Sequence, residues 1–151
     1  MTVDVETEVE IDRPRVEVAT YAADPDNATE WYENIESVEW KTKKKSFRVG
    51  SQVAFVGTFL GRRLAYTYKV TEFVPHERLV MRTAEGPFAM ETTYTWQDAA
   101  GGATRMTLRN RGEPTGFSSR IAAPLMASAM RRTNRNDLAR LKSLLEAVHD
   151  S

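Results

Sequence analysis

Apolar and acidic residues alternate along the first part of the chain. The apolar phase, with one threonine in it, consists of Val3, Val5, Thr7, Val9 and Ile11, and every residue between them is Asp or Glu. A period of two is typical of a β-strand with one face buried and the other in water. We therefore expect a strand over residues 3–11 with an acidic outer face.

Two short helices are predicted directly after this strand. Asp12 is placed to cap the first of them. The Asp24-Pro25 pair ends it, because the residue before a proline is driven out of the helical region. Asp24 is then expected to cap the second helix, with Pro25 as its first residue. Trp31 and Ile35 lie four residues apart, which predicts that they share one face of that helix.

Alternation resumes after the helices and continues through most of the chain. Glycine and proline clusters interrupt it at intervals that suit turns between strands. Six further strands are predicted, and their approximate extents are residues 38–41, 53–59, 63–70, 79–83, 90–96 and 104–110.

The last segment has helical periodicity. From about residue 117 to 148 the apolar residues recur at spacings of three and four, as in Leu138, Leu141, Leu145 and Val148. Projecting this stripe backwards adds Ala123, Ala127, Met130 and Asn134 to the same face. Pro124 is expected to kink the helix or divide it.

This order of elements predicts an α+β fold in a single domain over residues 1–151. A seven-stranded curved antiparallel sheet is expected to wrap around the long C-terminal helix, with the two short helices after strand 1. One helix is too narrow to fill the concave face of so wide a sheet. We therefore expect a space between them that is filled by large side chains or by a ligand.

Composition excludes several kinds of site. The chain has no cysteine, which rules out disulfides, thiol nucleophiles and cysteine metal ligands. His76 and His149 are far apart in sequence, which argues against a structural zinc site. No metal or cofactor is expected. No apolar run approaches the roughly 18 residues of a membrane helix, and the acidic N-terminus is unlike a signal peptide, so a cytoplasmic protein is expected.

Charge is unevenly distributed although the net charge is zero. Residues 1–40 hold 12 of the 21 Asp and Glu residues and only 2 of the 21 Lys and Arg residues. This asymmetry predicts either cross-strand pairing or a surface that binds polyanions. No basic run is interleaved with aromatic residues, so nucleic-acid binding is not expected.

The outer faces of two strands would account for part of this asymmetry. Glu6, Glu8 and Glu10 are expected on the outer face of the first strand, and Arg105 and Arg109 on that of the last strand. If the two strands are neighbours, acidic and basic residues meet without any partner molecule.

Four short segments resemble a known family. They are the Ile-Asp-Arg-Pro of residues 11–14, the Asp-Pro-Asp-Asn of residues 24–27 with the following Trp31, the Val-Gly-Ser of residues 49–51, and the Val-Pro-His-Glu-Arg-Leu-Val of residues 74–80. With these segments the whole chain resembles the START-like superfamily, the helix-grip group that includes polyketide cyclase/dehydrase, lipid-transfer-like and birch-pollen-allergen-type proteins. The resemblance implies a hydrophobic or amphipathic ligand between the sheet and the C-terminal helix. It does not imply a particular chemistry.

The residues expected to face this space are mostly apolar and aromatic, with a few polar groups, as in small-molecule pockets. They are Trp31, Phe55, Phe59, Tyr66, Tyr68, Met81, Met90, Thr92, Tyr94, Trp96, Met106, Leu108, Asn110, Met126, Met130 and Asn134. Core packing explains most of them equally well when each is taken alone. Asn134 lies on the apolar stripe of the long helix, so its amide is expected to bond protein, water or ligand.

Binding or carriage of a small molecule is the first functional hypothesis, by a protein that is a monomer or a homodimer without integral membrane association. A second is a cyclase, dehydratase or hydrolase in which Tyr66, Tyr68 or Tyr94 acts as a general acid and Asn110 polarises a carbonyl. The sequence shows no neighbouring base that would lower a tyrosine pKa from about 10.

A third hypothesis is an interaction module. It would use the outer face of the sheet or the charged surface of the helix, where Arg131, Arg132 and Arg135 lie.

Overall fold

The computed structural model describes residues 3–43, 47–59, 61–86, 89–113 and 122–147. Its strands are β1 (Val3–Ile11), β2 (Ile35–Trp40), β3 (Gln52–Phe59), β4 (Arg62–Val74), β5 (Arg78–Glu85), β6 (Ala89–Asp98) and β7 (Thr104–Glu113). Its α-helices are α1 (Arg15–Ala23), α2 (Ala28–Trp31) and α3 (Ala122–Ala147), and short 3₁₀ turns span Pro25–Asn27 and Ala100–Gly102.

The seven strands form one antiparallel sheet in the order β1-β7-β6-β5-β4-β3-β2. Consecutive strands from β2 to β7 are neighbours, and β1 returns to pair with β7. This arrangement confirms the predicted α+β fold, a curved sheet with a long C-terminal helix and two short helices after the first strand.

The charged outer faces of β1 and β7 meet as the alternation predicts. Glu6 lies opposite Arg109, and Glu10 lies opposite Arg105. Arg109 also donates two hydrogen bonds to the carboxylate of Asp4, at 2.9 and 2.7 Å. Cross-strand pairing therefore accounts for part of the charge asymmetry.

The prediction for the start of α1 was wrong. The helix begins at Arg15 after Pro14, and no side chain caps it. Asp12 instead donates its backbone N–H to Oε2 of Glu146 on α3, at 2.8 Å. Asp12 is therefore engaged through its backbone in a contact across 134 residues, and not through its side chain at the start of α1.

The prediction for the break between the short helices was partly confirmed. Oδ1 of Asp24 accepts a hydrogen bond from the N–H of Asp26 at 3.0 Å, and Pro25 opens the 3₁₀ turn. The prediction that Trp31 and Ile35 share one face of the second helix was wrong, because α2 ends at Trp31 and Ile35 already belongs to β2. The backbone adopts an extended conformation at Tyr32.

The long helix α3 covers the concave face with one side. Its buried residues are Met126, Met130, Asn134, Asp137, Leu138, Leu141 and Leu145. Pro124 is the third residue of the described helix and does not divide it. Residues 117–121, Val148 and the side chain of Ala123 lie outside the described residues.

Most of the core lies under the C-terminal half of α3. Leu138, Leu141 and Leu145 pack there with Trp31 and with residues of α1 and of strands β4 to β7. A second cluster forms under the N-terminal half of α3 from Val3, Val5, Met126 and Met130. Within the described residues, no helix is both long and apolar enough to cross a membrane.

Candidate functional site

A cavity of about 190 Å³ lies between the sheet and the N-terminal half of α3. Strands β2 to β7 contribute to its walls, and so does the short connection between α2 and β2. Its described lining residues are Tyr32, Asn34, Ile35, Phe55, Gly57, Thr58, Phe59, Leu64, Tyr66, Tyr68, Met81, Thr92, Tyr94, Asn110, Met130, Thr133 and Asn134.

Ten of the sequence-predicted residues are among them. They are Phe55, Phe59, Tyr66, Tyr68, Met81, Thr92, Tyr94, Asn110, Met130 and Asn134. They lie on five strands and one helix, and the concave side of the sheet brings them together.

The other six predicted residues lie elsewhere. Four of them, Trp31, Trp96, Met106 and Leu108, are buried in the main core together with leucines of α3. Met126 belongs to the second cluster, and Met90 packs partly buried against that cluster. Alternation identified the inward face of Trp96, Met106 and Leu108, which are 2% exposed or less, but it does not show which inward residues border open space.

Seven lining residues were missed by the sequence analysis. They are Tyr32, Asn34, Ile35, Gly57, Thr58, Leu64 and Thr133. Gly57 and Leu64 are in phase with predicted residues of their strands, and Thr133 follows Met130 by three positions, so periodicity could have found these three. Tyr32 and Asn34 lie between elements, where no periodicity indicates a direction.

Gly57 permits the wall formed by residues 32–35 to approach the sheet. A Cβ atom on Gly57 would lie 2.6 Å from the backbone oxygen of Asn34, which is far too close. The same oxygen of Asn34 accepts a hydrogen bond from the N–H of Thr58 at 2.9 Å. A larger residue at position 57 would therefore displace this wall.

Hydroxyl groups form a polar region within the mostly apolar lining. The hydroxyls of Tyr32 and Tyr94 hydrogen bond to each other. Oγ1 of Thr92 donates to Oδ1 of Asn110 at 2.8 Å. Burial raises the pKa of Tyr68 to about 12 and raises the pKa values of Tyr32 and Tyr94 well above 10. These three phenols therefore stay protonated near neutral pH and can donate hydrogen bonds.

Asp137 is a buried carboxyl that the sequence analysis overlooked. It lies on α3 three residues after Asn134 and is 1% exposed. Its Oδ1 accepts a hydrogen bond from the backbone N–H of Glu33 at 3.1 Å. Burial raises the pKa of Asp137 to about 6. Asp137 does not line the cavity. Its hydrogen bond links α3 to the connection between α2 and β2, which contains Tyr32 and Asn34.

Besides a concavity of about 320 Å³ lined by residues 42–43 and 48–51, two concavities of about 360 Å³ each lie elsewhere on the described part of the molecule. One is bounded by α1, the following turn and the aromatic residues Trp40, Phe47 and Phe73. The other lies across β5, β6 and β7 near Met90 and Gly112. Neither includes a described residue of α3, so neither is the space that the fold leaves between helix and sheet.

The fold resembles several solved structures along nearly the whole chain. A Thermus thermophilus protein, TTHA0849, has a TM-score of 0.83 at 20% identity, covering 97% of this chain and 99% of its own. The Zhui aromatase/cyclase from a Streptomyces species has a TM-score of 0.82 at 16% identity, covering 97% of this chain and 94% of its own. A START superfamily protein from Mycobacterium smegmatis has a TM-score of 0.82 at 12% identity, covering 96% of this chain and 98% of its own.

These identities are low enough that the structures show a shared fold and not a shared activity. No curated protein sequence matches the chain significantly.

A family model does match almost the whole chain. The model described as polyketide cyclase / dehydrase and lipid transport covers residues 2–146. Family and fold are together consistent with binding of a hydrophobic ligand and with polyketide cyclase activity. The chain belongs to the polyketide cyclase / dehydrase and lipid transport family.

Proposed function

We propose that the protein binds a small hydrophobic or amphipathic molecule in the cavity between the sheet and α3. The observation that carries this proposal is the cavity itself, about 190 Å³ of space at a place where side chains would otherwise be close-packed. Its walls are mainly apolar and aromatic, with a few polar groups at one region, which is the composition of small-molecule sites.

The size of the cavity limits the size of the ligand. Pockets for drug-sized ligands usually measure about 300–1,000 Å³, and a cavity of about 150 Å³ can hold benzene. The 190 Å³ cavity therefore suits a molecule of about one substituted ring, or one end of a longer molecule.

Methionine methyl groups allow a direct test. Met81 and Met130 line the cavity, whereas Met106 is buried in the core away from it. Titration of ¹³C-methyl-methionine protein with acetophenone, followed by NMR, should shift the Met81 and Met130 signals saturably and leave Met106 unchanged, because ring-current effects act over short distances. Equal shifts at all three methyls, or none, would contradict the proposal.

Two tryptophan substitutions on β4 provide a matched comparison. Leu64 lines the cavity, and the neighbouring Ala65 is exposed on the opposite face of the strand. Leu64→Trp should weaken acetophenone binding about tenfold or more because the indole occupies ligand space, which corresponds to about 1.4 kcal/mol. Ala65→Trp should leave binding within about twofold.

A second candidate function is acid–base catalysis on a carbonyl compound of polyketide type. The Tyr32–Tyr94 hydroxyl pair favours it, because the nearby Asp137 carboxyl acts electrostatically on both. However, the raised tyrosine pKa values provide hydrogen-bond donors and no base.

A matched pair of tyrosine variants tests the catalytic candidate. The Tyr21 hydroxyl bonds Glu30 on the exposed side and does not line the cavity. If turnover of a poly-β-ketone thioester were lost in Tyr94→Phe and retained in Tyr21→Phe, catalysis would be supported. Absence of turnover, or equal turnover in both variants, would exclude this mechanism.

A further inference from the structure

Asn134 lies on the cavity wall and carries an unpartnered hydrogen-bond donor. The residue is 4% exposed and lines the cavity wall on α3. Its Nδ2 has no hydrogen-bond partner among the described residues. In the described part of the chain two other buried donors lack partners, the indole nitrogens of Trp31 and Trp96, but neither of these residues lines the cavity.

A buried amide donor without an acceptor costs about 1–3 kcal/mol. An apolar residue of similar shape at position 134 would avoid this cost. The same face of α3 does carry buried apolar residues, among them Met130 and Leu138. The amide therefore favours a ligand that carries an acceptor oxygen or nitrogen.

Charge on the walls limits what kind of acceptor this can be. None of the described lining residues is Lys, Arg, His, Asp or Glu. Arg62, whose charge acts on Tyr66, is itself exposed at the start of β4. An anionic ligand buried here would therefore lose its hydration without gaining a counter-charge from the described walls, which is strongly unfavourable.

The surroundings of Asn134 disfavour anions further. The carboxyl of Asp137 lies on the same side of α3, three residues further along the helix. At pH 7.5 it is mainly ionised, since its pKa is about 6. A second buried negative charge nearby would be repelled.

Building on the proposed binding function, we infer that Asn134 is a specificity-determining residue that donates a hydrogen bond to an uncharged acceptor, such as a ketone or aldehyde oxygen, and that the cavity selects such ligands over carboxylates. The same amide makes the cavity bind a carbonyl compound more tightly than an apolar molecule of equal size. Fatty acids and other carboxylates are then poor ligands in their ionised form.

Three one-ring molecules of similar size test this inference without changing the protein. They are acetophenone with a neutral carbonyl, ethylbenzene with no acceptor, and benzoate with a charged one. At pH 7.5, titrations followed at the Met81 and Met130 methyls should show acetophenone binding about tenfold more tightly than ethylbenzene, from one net hydrogen bond. Benzoate should bind at least about tenfold more weakly than acetophenone.

Substitution of the donor provides the second arm. Asn134→Leu should reduce the preference for acetophenone over ethylbenzene to within about twofold, while Asn136→Leu, at an exposed position on the same helix, should preserve it. Circular dichroism would establish that both variants are folded.

The outcomes separate this inference from the proposed function. If benzoate bound as tightly as acetophenone, or if Asn134→Leu kept the carbonyl preference, the specificity inference would be overturned while ligand binding stood. If none of the three molecules shifted the methyl signals, both would be overturned.

Discussion

Asp137 is a carboxylic acid that the fold places in its own interior. Among the described residues, its carboxylate accepts a hydrogen bond from the backbone N–H of Glu33, and burial is the largest influence on its pKa. The Glu33 carboxyl raises this pKa further, while the Glu33 N–H and the Arg140 guanidinium lower it. The result, about 6 against an ordinary 3.8, means that the folded protein holds this proton more tightly than the unfolded chain.

This difference predicts a pH dependence of stability. A proton held more tightly in the folded state stabilises it fully below about pH 4, and this contribution is lost as the pH rises through about 6. Asp137→Asn keeps an acceptor oxygen and removes the titration. The free energy of unfolding of wild type relative to this variant should therefore fall by about 2.4 kcal/mol between pH 4 and pH 7.

Urea unfolding at several pH values measures this difference. Asp98→Asn is a suitable control, because the Asp98 side chain is 78% exposed. A difference between wild type and Asp137→Asn that stayed constant from pH 4 to pH 7 would contradict the assignment.

At the scale of elements, α3 combines two kinds of packing along one helix. Its C-terminal half places Leu138, Leu141 and Leu145 in the main core. Its N-terminal half places Met130, Thr133 and Asn134 at the cavity. One end of the helix therefore holds the fold together while the other leaves space beside the sheet.

Two leucines of α3 test this division. Leu141 is fully buried and Leu125 is 66% exposed. Leu141→Ala should lower the free energy of unfolding by about 2–5 kcal/mol, because it removes buried methyl groups and leaves a void. Leu125→Ala should change it by less than about 0.5 kcal/mol. Urea denaturation checks both, and similar losses would show that the helix does not pack as described.

At the scale of the whole molecule, the pairing of β1 with β7 joins residues that are about a hundred positions apart in the chain. Acidic residues of β1 lie beside Arg105, Arg109 and Arg111 of β7. Asp4 contacts two of these, Arg109 at 2.7 Å and Arg111 at 3.8 Å. Because these groups are partly exposed, dissolved ions screen their attraction.

Salt should therefore affect stability through this strand pair. Raising NaCl from about 0.05 to 0.5 M is expected to lower the wild-type Tm by about 1–4 °C. Asp4→Asn should reduce this sensitivity, whereas Glu8→Gln should not, because Glu8 lies opposite the uncharged Thr107. Thermal unfolding followed by circular dichroism measures it, and identical salt responses in the three proteins would refute this role for Asp4.

Much of this architecture was predictable because it depends on local periodicity. The alternation of Val3 to Ile11 predicted β1 with the correct inward face, and the spacing of Leu138, Leu141 and Leu145 predicted the buried side of α3. Asp24-Pro25 predicted the break between the short helices, because a proline restricts the residue before it wherever it occurs.

The cavity was only partly predictable, because whether an inward-facing residue borders open space depends on distant segments of the chain. Tyr94 and Trp96 have the same phase on β6 and both belong to the main core, yet only Tyr94 of these two also lines the cavity. The phase of a strand residue identifies the face on which it lies but not whether open space borders it.

The sequence by itself determined the elements, their inward faces and the mainly apolar character of the space between sheet and helix, since each follows from the order of neighbouring side chains. Only the tertiary structure decided that the Tyr32 hydroxyl bonds that of Tyr94, that Asp137 is buried and bonds the Glu33 N–H, and that Asn134 lines the cavity with an unpartnered donor. These outcomes depend on contacts between distant segments, whose distances no local pattern specifies.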